Sequence, residues 1–495
     1  MAQPLASVSR IAVAFFTAGT AQAADLHVTP GGHSFGSGSV DQPYDLVTAL
    51  SGSVGKPGDT FWLHEGFYPI GNLETKIHGA PDQPITFRQM PGERAQVVGS
   101  LNLWDSIGNV IFRDFELYSG QVGRVSTQTG VGFNPTDLPN FKAGIQVYAP
   151  NFSFINLIVH DTVRSAFYTS TEATNTLIYG CIVYNVGWVS PDNAEGHSFY
   201  LQGAGEISDC IAFNSTGVNF HLYANGEGSW LRNLTVDGNV AFGAGTLQQV
   251  RPSRDWIVGV DNPSVAADNI IVKNNMGFVT GDPITLTQIQ LGRENMNGTI
   301  VVSSNYWPEG VVLNNWSNAT VSGNVIAPQN SDPAVELQQN LTKMIGRWDN
   351  NYYSQSSNRE RFRSGSMNCN FADWKKNTGL DSASSCNSGR LSGTKVFVRP
   401  NRYEPGRANI VVYNWDNSPR VAVDVHSVLN VGVAYEVRNA QDFFSPPVLS
   451  GTYDGQPLQL PMTSLTVAKP MAALRTPPPT GPTFNVFVLL PKTRK

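Results

Sequence analysis

Charge is scarce in this chain. Only 14% of its 495 residues are Asp, Glu, Lys or Arg, and 38 acidic against 33 basic side chains leave a formal net charge of −5. No basic run occurs, so no positive field exists to hold a phosphate backbone, and nucleic acid is excluded as a partner. Long apolar runs are missing too. The stretch from Ile11 to about Gly19 falls short of the ~20 residues a spanning helix needs, and no later segment reaches that length, so no membrane-spanning helix is expected. There is no H-E-x-x-H, no nucleotide-binding glycine loop and no C-x-x-C pair, which removes the metalloprotease, nucleotide-dependent and thioredoxin-like classes. Cysteine itself is sparse, with four in the chain.

What is present begins with a leader pattern. Arg10 precedes the apolar stretch, and Ala21-Gln22-Ala23 supplies small residues on either side of a spacer, so residues 1–23 read as a signal peptide cleaved after Ala23. The mature protein is expected to be secreted, extracellular or periplasmic, and monomeric. That compartment suits disulfides. Cys369 and Cys386 bracket a short Asn/Ser-rich segment and are expected to close a loop. Cys181 and Cys210 fall on equivalent positions of a repeat, where a disulfide and two buried thiols are both open readings.

The repeat has irregular length. "FINLIVHDT" (154–162), "IYGCIVYNV" (178–186), "ISDCIAFNS" (207–215), "LRNLTVDGN" (231–239) and "IVKNNMGFV" (271–279) each alternate apolar residues, pass a small polar residue and resume. Asn156, Gly180, Asp209, Asn233 and Asn274 form one column of this alignment, read as a turn ladder; Leu157, Cys181, Cys210 and Leu234 form the next. A second set of strands falls between: "GIQVY" (144–148), "AFYTS" (166–170), "SFYLQ" (198–202), "NFHLY" (219–223), then "TLQQV" (246–250) and "ITLTQ" (284–288). Three short strands per turn, none able to bury its apolar face alone, stack into a continuous core. The expected fold is all-β: a right-handed parallel β-helix over residues 24–389.

The opening supports this. "LHVTPGGHSFGSGSVDQPYDLVTAL", with Pro57-Gly58-Asp59 and Gly66-Phe67-Tyr68 after it, is similar to the start of pectin-lyase-like β-helix proteins, among them polysaccharide lyases of the alginate/chondroitin type. The resemblance covers residues 25 to about 120, and the repeat carries it to about 350. It implies an N-terminal cap with "DLVTAL" as a short helix, and action on a polysaccharide. It also implies a catalytic Lys and Arg on the solenoid and calcium held by acidic residues, but the outward strand positions hold neither Lys nor Arg. Around "NFADWKKNTGLDSASS" a short helix and a Trp are expected to close the core. From 390 to 495, alternating segments such as "RANIVVYNWDN" and "FNVFVLLPK" read as an antiparallel β-sandwich domain.

Strand alternation then selects a surface. If Phe167, Phe199 and Phe220 point inward, Tyr168, Tyr200 and His221 point outward in register, with Gln146 below and Gln248 above. Tyr148, Ser170, Gln202 and Tyr223 make a second outward row. Aromatic rings with polar tips suit sugar rings. The loops around this face carry Arg124, Arg164, Trp188, Asp192, Glu195, His197, Arg251, Arg254 and Asp255. β-Elimination on a uronate glycan needs a base, an acid and a cation at the carboxylate; His221 and Tyr200 are the candidates for base and acid in either order, with Arg251, Arg254 or Arg164 as the cation. Tyr168, Tyr223, Gln146, Gln202, Gln248, His197, Arg164, Arg254 and Trp188 are the expected substrate contacts. A hydrolase would instead pair two of Asp161, Asp192, Glu195 and Asp255. A binding protein without chemistry is the third reading.

Overall fold

The computed structural model describes residues 23–492 apart from 105–107, 121–122, 140–141, 225, 262–265, 282–284, 287, 294, 330–332, 338–344, 356–360 and 473. The leader reading, apart from Ala23, lies outside the described residues.

Alternating short apolar stretches leave each segment with one face to bury, and parallel stacking buries all of them at once. One wall of the solenoid is a 12-stranded parallel sheet, running from Asp25–Val28 to Ile345–Asp349. A 22-stranded sheet supplies the other two walls. A representative coil runs Thr176–Tyr179 on the first wall, a two-residue corner, Ile182–Val186 on the second, a long loop, and Phe199–Leu201 on the third, before Gly203–Ser208 returns to the first. Along the inward column of the first wall, register is maintained residue for residue. Phe61, Phe87, Phe112 and Phe154 stack inside at 4.6, 5.5 and 5.7 Å between ring centroids. Ile178, Ile207, Val236, Val272, Val302 and Val321 continue that column as aliphatic side chains. This is the expected right-handed parallel β-helix.

The corner shows why Asn and Gly recur. From Val110–Arg113 on, the residue after each first-wall strand sits at positive φ: Asp114 (67°), Asn156 (55°), Gly180 (64°), Asp209 (52°), Gly238 (69°), Asn274 (55°), Ser304 (57°), Gly323 (67°) and Asn350 (58°). Gly, Asn and Asp accept that conformation most cheaply, and all but Ser304 are of these types. Asn233 does not belong here. It is the extra residue of an irregularity in Leu231–Asp237, and Gly238 takes its place, because pairing follows Ser208 to Asp237 rather than the sequence pattern. The ladder is also one residue further on than expected, and it faces inward. After Leu157, Cys181 and Cys210 the same position becomes Asn239, Asn275, Asn305, Asn324 and Asn351, all within 1% of full burial. The Asn239 Oδ1 accepts from the Cys210 N–H at 3.0 Å, and each later Oδ1 accepts from the backbone N–H and Nδ2 of the asparagine one coil earlier, at 2.8–3.1 Å. The amides are thus fully paired where an unpaired one would be costly.

Asp45 caps the short helix Leu46–Leu50 over the N-terminal end, as expected. At the other end Phe371–Thr378 closes the core with fully buried Trp374, whose indole N–H donates to Asp381 at 2.9 Å. The four cysteines are free thiols. Cys369 lies on a hairpin paired with Phe362 while Cys386 is stacked on Tyr353, so the expected loop disulfide is absent. Cys181 and Cys210 instead point their thiols at backbone carbonyls of Phe154 and Ile178, each at 3.6 Å.

The C-terminal strands Thr394–Pro400, Ala408–Asn414, Phe484–Pro491, Ala434–Asn439 and Leu449–Thr452 form an antiparallel sheet. One of its faces packs on the two-stranded sheet Arg420–Val423 with Leu458–Pro461 through Ile410, Val412, Val423, Leu460 and Leu489, completing the sandwich. Its other face lies on the second wall, where Val411, Tyr413, Phe484 and Val486 meet Ile182, Tyr184, Phe213 and Phe242. Arg399 pairs with Asp209, and Arg402 with Glu206, beside that contact. The sandwich therefore covers the second wall and leaves the third uncovered.

Asn275→Ala removes an acceptor shared by the N–H and Nδ2 of Asn239 and the donor to Val236 and Asn305. Its denaturant midpoint should fall by the equivalent of about 3 kcal/mol, against about 1 kcal/mol for the neighbouring corner change Asn274→Ala.

Candidate functional site

The third wall presents the expected outward row. Gln146 pairs with Tyr168, Tyr168 with Tyr200, and Tyr200 with His221. Beneath them Phe167, Phe199, Phe220 and Trp256 stack inward at 5.3, 5.0 and 4.1 Å, which fixes the alternation that turns the row outward. Above His221 the register partner is Ile257, not Gln248. Gln248 sits in a turn and is buried, with its amide bonded to the backbone around Arg251. The strand expected at 246–250 is displaced to Trp256–Val260 because the loop before it is longer than the repeat suggests.

Around Tyr200 and His221 the rings close into a cluster. Tyr200 lies 4.9 Å from His221 and 5.4 Å from His197, and His221 stacks on Tyr223 at 4.5 Å, centroid to centroid. His197 enters from the loop rim, on the chain that follows the hairpin Trp188–Val189 with Ala194–Glu195. Its Nδ1 accepts from the Val218 N–H at 2.9 Å. A neutral His197 therefore carries its proton on Nε2, which faces Nδ1 of His221 at 3.3 Å and Oε1 of Glu195 at 3.6 Å. His221 must accept at Nδ1, so its own proton is on Nε2. Burial, with the like charges of His197, Arg293 and Arg251, holds His221 well below the usual imidazole range. It is a neutral N–H donor.

Tyr200 is held in its phenol form. Burial pushes it up, as do Tyr168 and Glu195, while Arg164 acts the other way. Desolvation outweighs the Arg164 guanidinium, so the phenol lies above its ordinary range. Tyr168 and Tyr148 are raised for the same reason and also feel Arg164. Burial also raises Glu195, but its bond to His197 and the charges of Arg164 and Arg251 outweigh this and keep it ionised. In the second row Gln202 is tied to Thr169 through the backbone at 2.9 Å, and the Tyr223 hydroxyl donates to Asp261 at 2.7 Å. Arg293, bonded to the same Asp261 oxygen at 2.7 Å, reaches over the Tyr223 ring. Asp261 and Arg293 were missed because they belong to coils whose register the sequence did not reveal.

The remaining candidates disperse. Arg251 stands in the wall formed by the loops, against Asn193 and the Phe133 ring. Arg254, on Ser253–Arg254, lies beside Arg293 and Glu336 at the upper end of the wall. Trp188 offers no surface: it is fully buried with Leu138 and Val163 inside the loops. Arg124 is buried as well, bonded to Asp161 at 2.5 Å and to the Met471 carbonyl at 2.9 Å. Asp161 also accepts from His160, itself sandwiched between Tyr118 and Tyr184 and packed under Phe444, so that charged cluster is sealed beneath the C-terminal sandwich.

The carboxylate pair a hydrolase requires is not assembled from the expected acids. Asp192 staples loops by accepting from Gly130 N–H at 2.7 Å, Asp161 is sealed off, and Asp255 lies inside the solenoid between Asn219 and Ala244. Only Glu195 faces the cluster. Among the described residues no group of three or more His, Cys, Asp or Glu could hold a metal ion, so the donors do not fit the calcium the resemblance implies. One string has nucleophile-elbow spacing, Gly32-His33-Ser34-Phe35-Gly36, but Ser34 is an exposed loop residue of the cap rather than a strand-to-helix turn.

The coil order, the positive-φ corners and the long loops entering the third wall settle the architecture. The chain is a right-handed parallel β-helix. No family model and no curated protein matches the sequence. Solved structures similar to it include a rhamnogalacturonan lyase (15% identity, 73% of this chain and 86% of that one, TM-score 0.45). A pectate lyase (14%, 74% and 80%, 0.37) and a lacto-N-biosidase from Eubacterium ramulus (12%, 74% and 68%, 0.37) are also similar.

Burial pushes Asp255 up to about 7 from 3.8. A raised acid contributes stability that is complete below 3.8 and lost as pH rises through about 7. The denaturation midpoint of the native protein should therefore fall between about pH 4 and pH 8 more than that of Asp255→Asn; parallel curves would contradict the assignment.

Proposed function

We propose that this is an exported polysaccharide lyase that cleaves a uronate-containing glycan by β-elimination on the third wall. One observation carries the reading: a phenol and a neutral imidazole N–H stand together on the exposed wall, Tyr200 and His221 at 4.9 Å, among the cations Arg164, Arg251 and Arg293. Such a donor-rich, cation-ringed surface suits a chain that carries carboxylates. The leader pattern supports export.

β-Elimination removes the proton on the carbon beside the carboxyl group and expels the glycosidic oxygen at the next carbon, leaving a C=C bond. Charge builds on the carboxylate as the proton leaves, and the His221 Nε2–H and the Arg251 guanidinium are the groups that neutralise it. The tautomer set by Val218 and His197 makes His221 a donor rather than the base. Tyr200 then performs both proton transfers. As tyrosinate it takes the carbon-bound proton, and as phenol it returns one to the departing oxygen, so the site ends as it began. Arg164 favours the tyrosinate against burial. Tyr168, Gln146, Gln202 and Tyr223 line the path of the chain.

A panel of uronate and neutral glycans tests this. New absorbance from an unsaturated uronate is the expected product; reducing ends without it would indicate a hydrolase, and binding without either product a lectin-like protein. Tyr200→Phe should abolish turnover. His221→Ala should lower kcat by about 100-fold, with His221→Gln, which keeps an N–H, in between. Because the reactive form of Tyr200 is its minor, ionised one, kcat/KM should climb about tenfold per pH unit from pH 7 towards 10; a plateau over that range would remove Tyr200 as the base.

A further inference from the structure

Trp104 is among the most exposed large apolar side chains of the protein, at 55%. It follows Leu103, whose register partner is Val147, so it stands one coil below Tyr148 on the same outward face. Its indole lies flat on the Tyr148 ring, 3.9 Å between centroids and 10° between planes. Tyr148 leans on Tyr168 at 5.7 Å, Tyr168 on Tyr200 at 5.6 Å, and Tyr200 on His221. Below the path, the Tyr148 hydroxyl donates to Gln146 at 3.3 Å, Gln146 bonds Asn102, and Asn102 bonds Asn72. The aromatic path is therefore held together before any ligand arrives, and it ends in an indole that is more than half exposed.

We propose that the Trp104–Tyr148 pair is a distal sugar subsite, taking a pyranose ring of the same glycan chain that Tyr200 and His221 act on. This rests on the reading of the third wall as the glycan track. A stacked indole offers a flat apolar face matched to the C–H face of a pyranose, while Gln146 and Asn72, tied together by the buried Asn102, offer neutral hydrogen bonds to hydroxyl groups at its edge. Tyr148 lies three coil steps from His221, each ~4.8 Å, about the length of three linked pyranose rings. The two ends of the wall then divide the work. The Trp104 end is aromatic and amide-lined, and holds the chain by its rings. The Arg251, Arg254 and Arg293 end is cationic, and holds it by its carboxylates. Such a layout acts within chains and serves short fragments poorly.

Trp104→Ala and Trp104→Phe, both at an exposed position, test the subsite against a series of oligomers of the cleaved glycan, from dimer to octamer. For Trp104→Ala, KM for the hexamer and longer chains should rise about tenfold with kcat unchanged and dimer and trimer kinetics unaltered. Trp104→Phe should recover part of the loss. Equal effects on short and long chains, or none on long ones, would overturn the subsite and leave the lyase reading standing. If no glycan is cleaved, tryptophan fluorescence and affinity electrophoresis with the same panel decide. Binding that Trp104→Ala weakens keeps the subsite and sinks the lyase reading; binding that it leaves intact overturns the subsite; no binding to any glycan overturns both.

Discussion

Everything in this protein depends on parallel register. Each coil hydrogen-bonds to the next at one fixed offset, so a side chain's neighbours are the equivalent side chains above and below it. The corner between the first and second walls enforces this offset. A residue at positive φ turns the chain, and the one after it either packs into the apolar core or passes a hydrogen bond to the coil before it. On the third wall, strand alternation does the rest. Phe199 above Phe167 requires Tyr200 above Tyr168.

The three walls have been given different tasks by what their outward residues are. The second wall is aliphatic and aromatic on its outside, which would be an exposed liability, and the sandwich buries it. The third wall alternates polar-tipped rings with amides and is ringed by long loops that the solenoid does not need for its own stability. The loops also hold one another: Val125 bridges to Val189, Asn193 donates to the Gly132 carbonyl at 2.6 Å, and Arg251 reaches Asn193. Rigid loops keep His197 at the distance where its Nε2–H can set the tautomer of His221.

Much of the fold was legible because stacked strands repeat the same chemistry. "AFYTS", "SFYLQ" and "NFHLY" align by eye, and their register is the one found. The errors have a common cause. Where a loop or a bulge changes the length of a coil, the pattern slips, and a plausible residue stands in for the true one: Asn233 for Gly238, Gln248 for Ile257. Burial was not legible in the loops. Trp188 and Arg124 carry surface-site chemistry by type, yet both are interior because the loops have a small core of their own. The direction of the Tyr200 shift was illegible too, since it is decided by how much water the cluster excludes.

The change at the inward corner position divides the solenoid unevenly. Up to Cys210 that column is phenylalanine, leucine and cysteine, held by packing and by the thiols' contacts to backbone carbonyls; from Asn239 onward it is a chain of amides in which every member answers to the next. The two stretches are different materials. In the laddered part, losing one amide orphans its neighbours; at the positions before it, no chain of amides links one coil to the next. The seam passes between the coils of Cys210 and Asn239, next to the coil that carries His221. Arg399 of the sandwich spans it, reaching Asp209 on one side and Asp237 on the other. The C-terminal module thus ties the last thiol-bearing coil to the first amide-bearing one through a single guanidinium, on a different wall from Tyr200 and His221.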